Sequence, residues 1–232
     1  MTDNTKKTAL VVGASRTLGL GLAAEYLRRG WNIIGTVRGA GRTELHHLAE
    51  SSAGRLVVES LDMTEPEQIS ALRERLTGHT LDLLFVNVAI TNGDVSVADV
   101  PTETFVDVMV TNAFSPMQVV ESLQSLVATT GTIAVMSSSQ GSIALNTNGG
   151  HEVYRASKAA VNQLMRSYAA RHRDDARTLL LINPGWVQTE LGGPGAQLTI
   201  DESVPGVADT IDAQTGKPGL QFLDYRGQNV PC

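Results

Sequence analysis

The chain has 232 residues, 42% of them hydrophobic and 18% charged, with a formal net charge of -6. That composition supplies one substantial core, and the acidic balance argues against nucleic acid or an anionic membrane as the main partner, leaving small molecules. One cysteine, Cys232, gives no pair for an internal disulfide, and the five histidines lack HExxH spacing, so no metal is expected.

The opening MTDNTKKT is polar, and no apolar run reaches the length of a signal segment or a membrane span, which predicts a cytoplasmic protein without a membrane partner. From there, β-rich apolar runs alternate with helix-periodic stretches, the pattern of a parallel sheet covered on both faces. Strands are predicted over 9–13, 31–37, 56–61, 81–88, 132–137, 178–182 and 221–223, and helices over 18–29, 43–51, 65–77, 102–127 and 153–171. A further short helix is expected near Asp201, with Asp201 and Glu202 as cap and first turn. No repeat or composition shift divides the chain, so 1–232 reads as one α/β domain, a doubly wound seven-stranded parallel sheet of the Rossmann type. The least regular stretch, GGPGAQLT at 192–199, is a lid over the strand ends or a plain connector.

Two segments carry chemistry. The first is GASRTLGLG after the first strand, where Gly13 permits a tight turn, Gly19 and Gly21 permit close packing, and free N–H groups at a helix start suit a pyrophosphate. The second is YRASK, in which Tyr154 and Lys158 stand four residues apart on one helix face. A tyrosine has an ordinary pKa of about 10, and a fixed cation beside it favours the phenolate, so this pair is expected to make an acidic phenol that exchanges protons near neutral pH.

Together with Asn112, Ser138, the Asp62-Met63 turn and NPGWVQT at 183–189, these segments resemble the short-chain dehydrogenase/reductase family over nearly the whole chain. The run SSSQGSIALNTNGGHEVYRASKAA, with NPGWVQTELGGP and the late FLDYRG, is similar to the family's C-factor-like subgroup of carbonyl reductase type. The resemblance implies a Ser-Tyr-Lys-Asn tetrad. Tyr154 gives a proton to a carbonyl oxygen, Ser138 polarises that oxygen, Lys158 holds a nicotinamide ribose and keeps the phenol acidic, and the backbone near Asn112 holds a relay water. Ser138 is assigned because it stands three before Gly141 and because alternation turns Ser137 and Ser139 to the opposite face.

By the same resemblance, Gly13, Ser15, Arg16, Thr17, Leu18, Gly19, Arg38, Asp62, Met63, Asn87, Val88, Ala89, Asn112, Tyr154, Lys158, Pro184, Gly185, Val187 and Thr189 bind the dinucleotide. The second strand ends in GTVRG with no acid to repel a 2′-phosphate, while Arg38 and Arg16 supply two cations, which predicts NADP(H). Ile90, Ile143, Ala144, His151, Trp186 and Leu191 are expected to surround a small carbonyl or alcohol substrate with Ser138.

Two departures from the family stand out. Thr17 replaces the middle glycine of the turn, where its hydroxyl either bonds a phosphate or its bulk weakens binding. NVAI at 87–90 replaces NNAG, which either weakens structural hydrogen bonds or shapes an apolar pocket. The expected activity is NADPH-dependent reduction of a ketone or aldehyde, or the reverse oxidation of a secondary alcohol. The alternative is a non-catalytic NADP(H)-binding signalling protein. The amphipathic stretches 102–127 and 153–171 suggest a homodimer or homotetramer.

Overall fold

A computed structural model describes residues 6–232. Its seven strands are β1 (Thr8–Val12), β2 (Asn32–Val37), β3 (Leu56–Ser60), β4 (Leu81–Val86), β5 (Val127–Met136), β6 (Thr178–Asn183) and β7 (Gly219–Asp224). They form one sheet in the order β3-β2-β1-β4-β5-β6-β7, and all six pairings are parallel. Helices α1 (Thr17–Arg28), α2 (Glu44–Glu50), α3 (Pro66–Arg75), α4 (Thr102–Met109), α5 (Ser115–Leu123), α6 (Glu152–Arg171) and α7 (Ile200–Gln214) cover its two faces. A seven-stranded doubly wound parallel sheet is therefore what the chain forms.

The period of two in a strand explains why both faces are apolar. Leu10, Val12, Leu84, Val86, Ile133 and Val135 face one core together with α3, α5 and α6. Their immediate neighbours Ala9, Val11, Leu83, Phe85, Ala134 and Met136 face the other, with α1, α2 and α7. Each fully buried side chain of this kind contributes about 1.5–3 kcal/mol.

Three expected elements are corrected. The single helix over 102–127 is two helices joined by a π turn at Val110–Phe114, and it ends at Leu123. Pro116 has no N–H to give to a carbonyl four residues back, so the regular ladder fails there and the turn widens. The fifth strand begins at Val127, not Thr132, because Val127 already pairs with Leu81 ahead of a register shift. The helix expected near Asp201 has 15 residues and is capped two residues earlier, by Thr199, whose hydroxyl accepts from the Glu202 N–H while the Glu202 carboxylate accepts from the Thr199 N–H.

Candidate active site

The strand order reverses between β1 and β4, and the crevice beyond their carboxyl ends is where an open α/β sheet takes a ligand. Gly13, after β1, has φ +78°, and a Cβ there would sit 2.1 Å from the Asn87 carbonyl oxygen. A Cβ on Gly19 would sit 2.1 Å from the Gly13 carbonyl oxygen, which already accepts from Asn87 Nδ2 at 3.0 Å. The turn is thus stitched to the end of β4 at a distance only glycine permits. Arg16, the residue before α1, makes no side-chain cap, so the first-turn N–H groups of that helix are left for an outside acceptor.

Thr17 has φ +48°. For a β-branched residue this left-handed conformation is strained. The altered NVAI segment keeps its ties through the backbone. Lys158 Nζ donates to the Val88 carbonyl at 3.0 Å, and the Asn112 side chain both accepts from the Ile90 N–H and donates to the Ile90 carbonyl, each at 2.8 Å.

Asn112 sits in the π turn with no exposed surface. Because Pro116 lacks an N–H, the Asn112 carbonyl has no donor at the usual helical position. Lys158 is 1% exposed and donates also to the Met136 carbonyl at 2.9 Å, which ties α6 to the ends of β4 and β5 at once. Tyr154 is 7% exposed, and the Lys158 ammonium lies 6.0 Å from the centre of its ring. Ser138 stands half-buried where β5 ends, within hydrogen-bonding influence of the Tyr154 phenol. Its two neighbours have other work: Ser137 is buried and donates to Asn162 Oδ1 at 2.6 Å, and Ser139 opens a tight turn that ends at Gly141. Gly141 lies so close to α6 that a Cβ would meet the Lys158 backbone at 2.8 Å.

The electrostatics depart from the acidic phenol read from the sequence. Burial pushes Tyr154 up to about 12, and the hydrogen bond to Ser138 is the influence opposing it. Burial also draws Lys158 down to about 7. A cation taken out of water with only carbonyl partners is disfavoured, so the phenol holds its proton at neutral pH and the amine gives up its own more readily than a solvated lysine.

Other expected site residues are not all gathered here. Arg16 Nη1 donates to Glu190 Oε2 at 2.6 Å, and Arg38 is exposed at the end of β2. Asp62 accepts from the N–H and hydroxyl of Thr64 and so shapes its own turn, with Met63 buried beside it. Pro184 accepts from Ser203, Gly185 has φ +84°, Val187 is buried, and Thr189 holds the Gly192 N–H. Ile90, Ile143, Ala144, Trp186 and Leu191 are exposed, Ile143 most of all at 78%. His151 precedes α6 with φ +47° and donates its N–H to Asp94.

Sequence reasoning missed Ser157, which accepts from Asn112 Nδ2 at 3.0 Å and donates to the Tyr154 carbonyl at 2.7 Å. Its signal lay inside YRASK, one turn after the tyrosine on the same face. It also missed Glu190, which no local pattern marks. A groove of about 680 Å³ lined in part by Thr17, Leu20, His47 and Ile200 is separate from the four tetrad side chains.

A profile of the short chain dehydrogenase family matches residues 7–197. The C-signal protein of Myxococcus xanthus is 35% identical over 158 residues, covering 65% of this chain and 92% of that protein. A Burkholderia multivorans protein described as a candidate short-chain dehydrogenase/reductase, solved with NADP bound, is 55% identical with a TM-score of 0.97, covering 98% of this chain and 100% of that one. A carbonyl reductase from Pseudomonas aeruginosa PAO1 in complex with NADP is 35% identical with a TM-score of 0.91, over 98% and 100% of the two chains. With the fold, the glycine turn and the tyrosine-lysine helix all in the family's order, this chain belongs to the short-chain dehydrogenase family.

Proposed function

We propose that the protein is an NADP(H)-dependent carbonyl reductase that interconverts a ketone or aldehyde of apolar character with its alcohol. The observation that carries this reading is the Tyr154 phenol, protonated at neutral pH, next to the Ser138 hydroxyl and one helical turn from the buried Lys158 amine. The chain offers a fitting seat for the dinucleotide: uncapped N–H groups at the start of α1, a turn stitched together at Gly13 and Gly19, and cationic Arg16 and Arg38 with no carboxylate at the end of β2. When bound, the reduced nicotinamide supplies the hydride.

The chain's own groups do the rest. Ser138 donates a hydrogen bond to the substrate oxygen as negative charge develops on it, and Tyr154 gives that oxygen its proton. The high phenol pKa suits a donor, since the acid form is the resting one. Lys158 commits two of its three N–H groups to the Val88 and Met136 carbonyls, which leaves one for a ribose hydroxyl. The Asn112 carbonyl, without a helical donor, accepts from a water that returns the proton to Tyr154. The exposed apolar rim of Ile90, Ile143, Trp186 and Leu191 favours aryl or alkyl carbonyls over charged ones.

An assay of NADPH oxidation against aryl ketones and diketones tests the proposal. Turnover of at least one is expected. Tight NADPH binding with no oxidation across the panel would instead make the chain a dinucleotide-binding regulator. For assembly we infer a homodimer or homotetramer through α4, the π turn and α6, where Phe105, Val106, Phe114 and Leu164 are exposed on elements that touch one another. Light scattering that gives a single-chain mass refutes it. No helix among the described residues is long and apolar enough to cross a membrane.

A further inference from the structure

The segment between β6 and α7 is a folded body of its own. Trp186 Nε1 donates to the Gly192 carbonyl at 2.8 Å, Gly193 N–H to the Thr189 carbonyl at 2.8 Å, and Gln188 Nε2 to the Ala196 carbonyl at 3.0 Å. Its two ends are zipped by Gln188 N–H to the Leu198 carbonyl and Leu198 N–H to the Trp186 carbonyl. Held this way, the flap presents Glu190 across the crevice to the glycine turn after β1. There it meets Arg16, 174 residues away in sequence, at 2.6 Å. Among the described residues this is the one hydrogen bond between flap and turn.

Arg16 is also one of the two cations that the proposed NADP(H) reading assigns to the 2′-phosphate. A guanidinium has a limited fork of donors, and a carboxylate and a phosphate of the same ligand geometry draw on the same fork. We propose, building on that reading, that Glu190 is a positioning residue that sets cofactor selectivity: it holds Arg16 against the flap and competes with the 2′-phosphate for it. The pair is exposed, 72% and 75% by side chain, so the exchange is between two solvated partners and its size is that of an exposed ion pair. NADH, which lacks the 2′-phosphate, does not enter the competition.

The test is fluorescence titration of NADPH and NADH into the wild-type protein, Glu190→Gln, Arg16→Gln and the double variant. Glu190→Gln is expected to tighten NADPH about threefold and leave NADH unchanged, and the gain should vanish in the Arg16→Gln background. Hydrogen exchange without cofactor adds a second readout: residues 186–198 should exchange faster in each single variant, with no further increase in the double. Equal shifts for both dinucleotides, or a gain that survives loss of Arg16, overturns the competition while leaving the cofactor reading intact. A wild-type protein that does not discriminate NADPH from NADH overturns both.

Discussion

On the α6 side of the crevice, Asn112, Lys158 and Tyr154 are 0%, 1% and 7% exposed, and two of them are tied to main-chain carbonyls of strand ends. On the flap side, Arg16 and Glu190 are 72% and 75% exposed and hold each other through one ion pair. Burial makes the first wall rigid and shifts its protons, whereas exposure leaves the second wall near ordinary charge behaviour and sensitive to salt. In the reading proposed above, proton chemistry falls to the buried wall and choice of dinucleotide to the exposed one.

The sharpest way to break this contrast is Tyr154→Phe. It should lower kcat about 1,000-fold while NADPH binding, read by fluorescence, stays within about twofold. Preserved turnover would remove the phenol from the chemistry. Next, Asn112→Ala removes both bonds to Ile90 and the one to Ser157, and leaves the half-exposed Ile90 N–H and carbonyl without their side-chain partner. A loss of roughly 3 kcal/mol in urea unfolding is expected, with kcat falling as well.

Lys158 gives a test by slope. Its folded pKa, about 7, lies below the ordinary lysine value of 10.5, so between those values the unfolded chain holds a proton that the folded chain does not. Wild-type stability should therefore rise with pH through this window by up to about 1.4 kcal/mol per unit relative to Lys158→Met, and run parallel to it below pH 7. Denaturation midpoints from pH 6 to 10 check the sign; Tyr154, raised to about 12, adds its opposite slope only above that range. On the exposed wall, Arg38→Glu should raise KM for NADPH about tenfold and barely alter that for NADH. The smallest effect is expected from Thr17→Gly. Relief of the φ +48° strain, less glycine's entropy, should leave the protein about 0.5–1 kcal/mol more stable by thermal melting.

How much of this was written in the sequence depends on the reach of each signal. The strands of the sheet were legible because alternation and apolar runs are local, and YRASK was legible because a helix turns four residues into one face. The break at 110–114 was not, since a lone proline midway through the helical pattern at 102–127 reads equally as a kink or a restart. The rise of the Tyr154 pKa was hidden for a different reason. Neighbours in sequence suggested a cation beside a phenol, but desolvation comes from the whole crevice and draws the amine down as well. Likewise, Arg16 looked available for a phosphate until the fold brought Glu190 to it from the far end of the chain.

The widened turn at Val110–Phe114 makes residue count matter as much as residue type. Removing one residue there would tighten the π turn and shift Asn112 off the position from which it reaches Ile90 and Ser157. Asn112 could survive in the alphabet of the protein and still be aimed at nothing. Single-codon deletions in this stretch should thus silence the enzyme more completely than most substitutions, while an equal deletion in the exposed loop at 91–95 should be far milder.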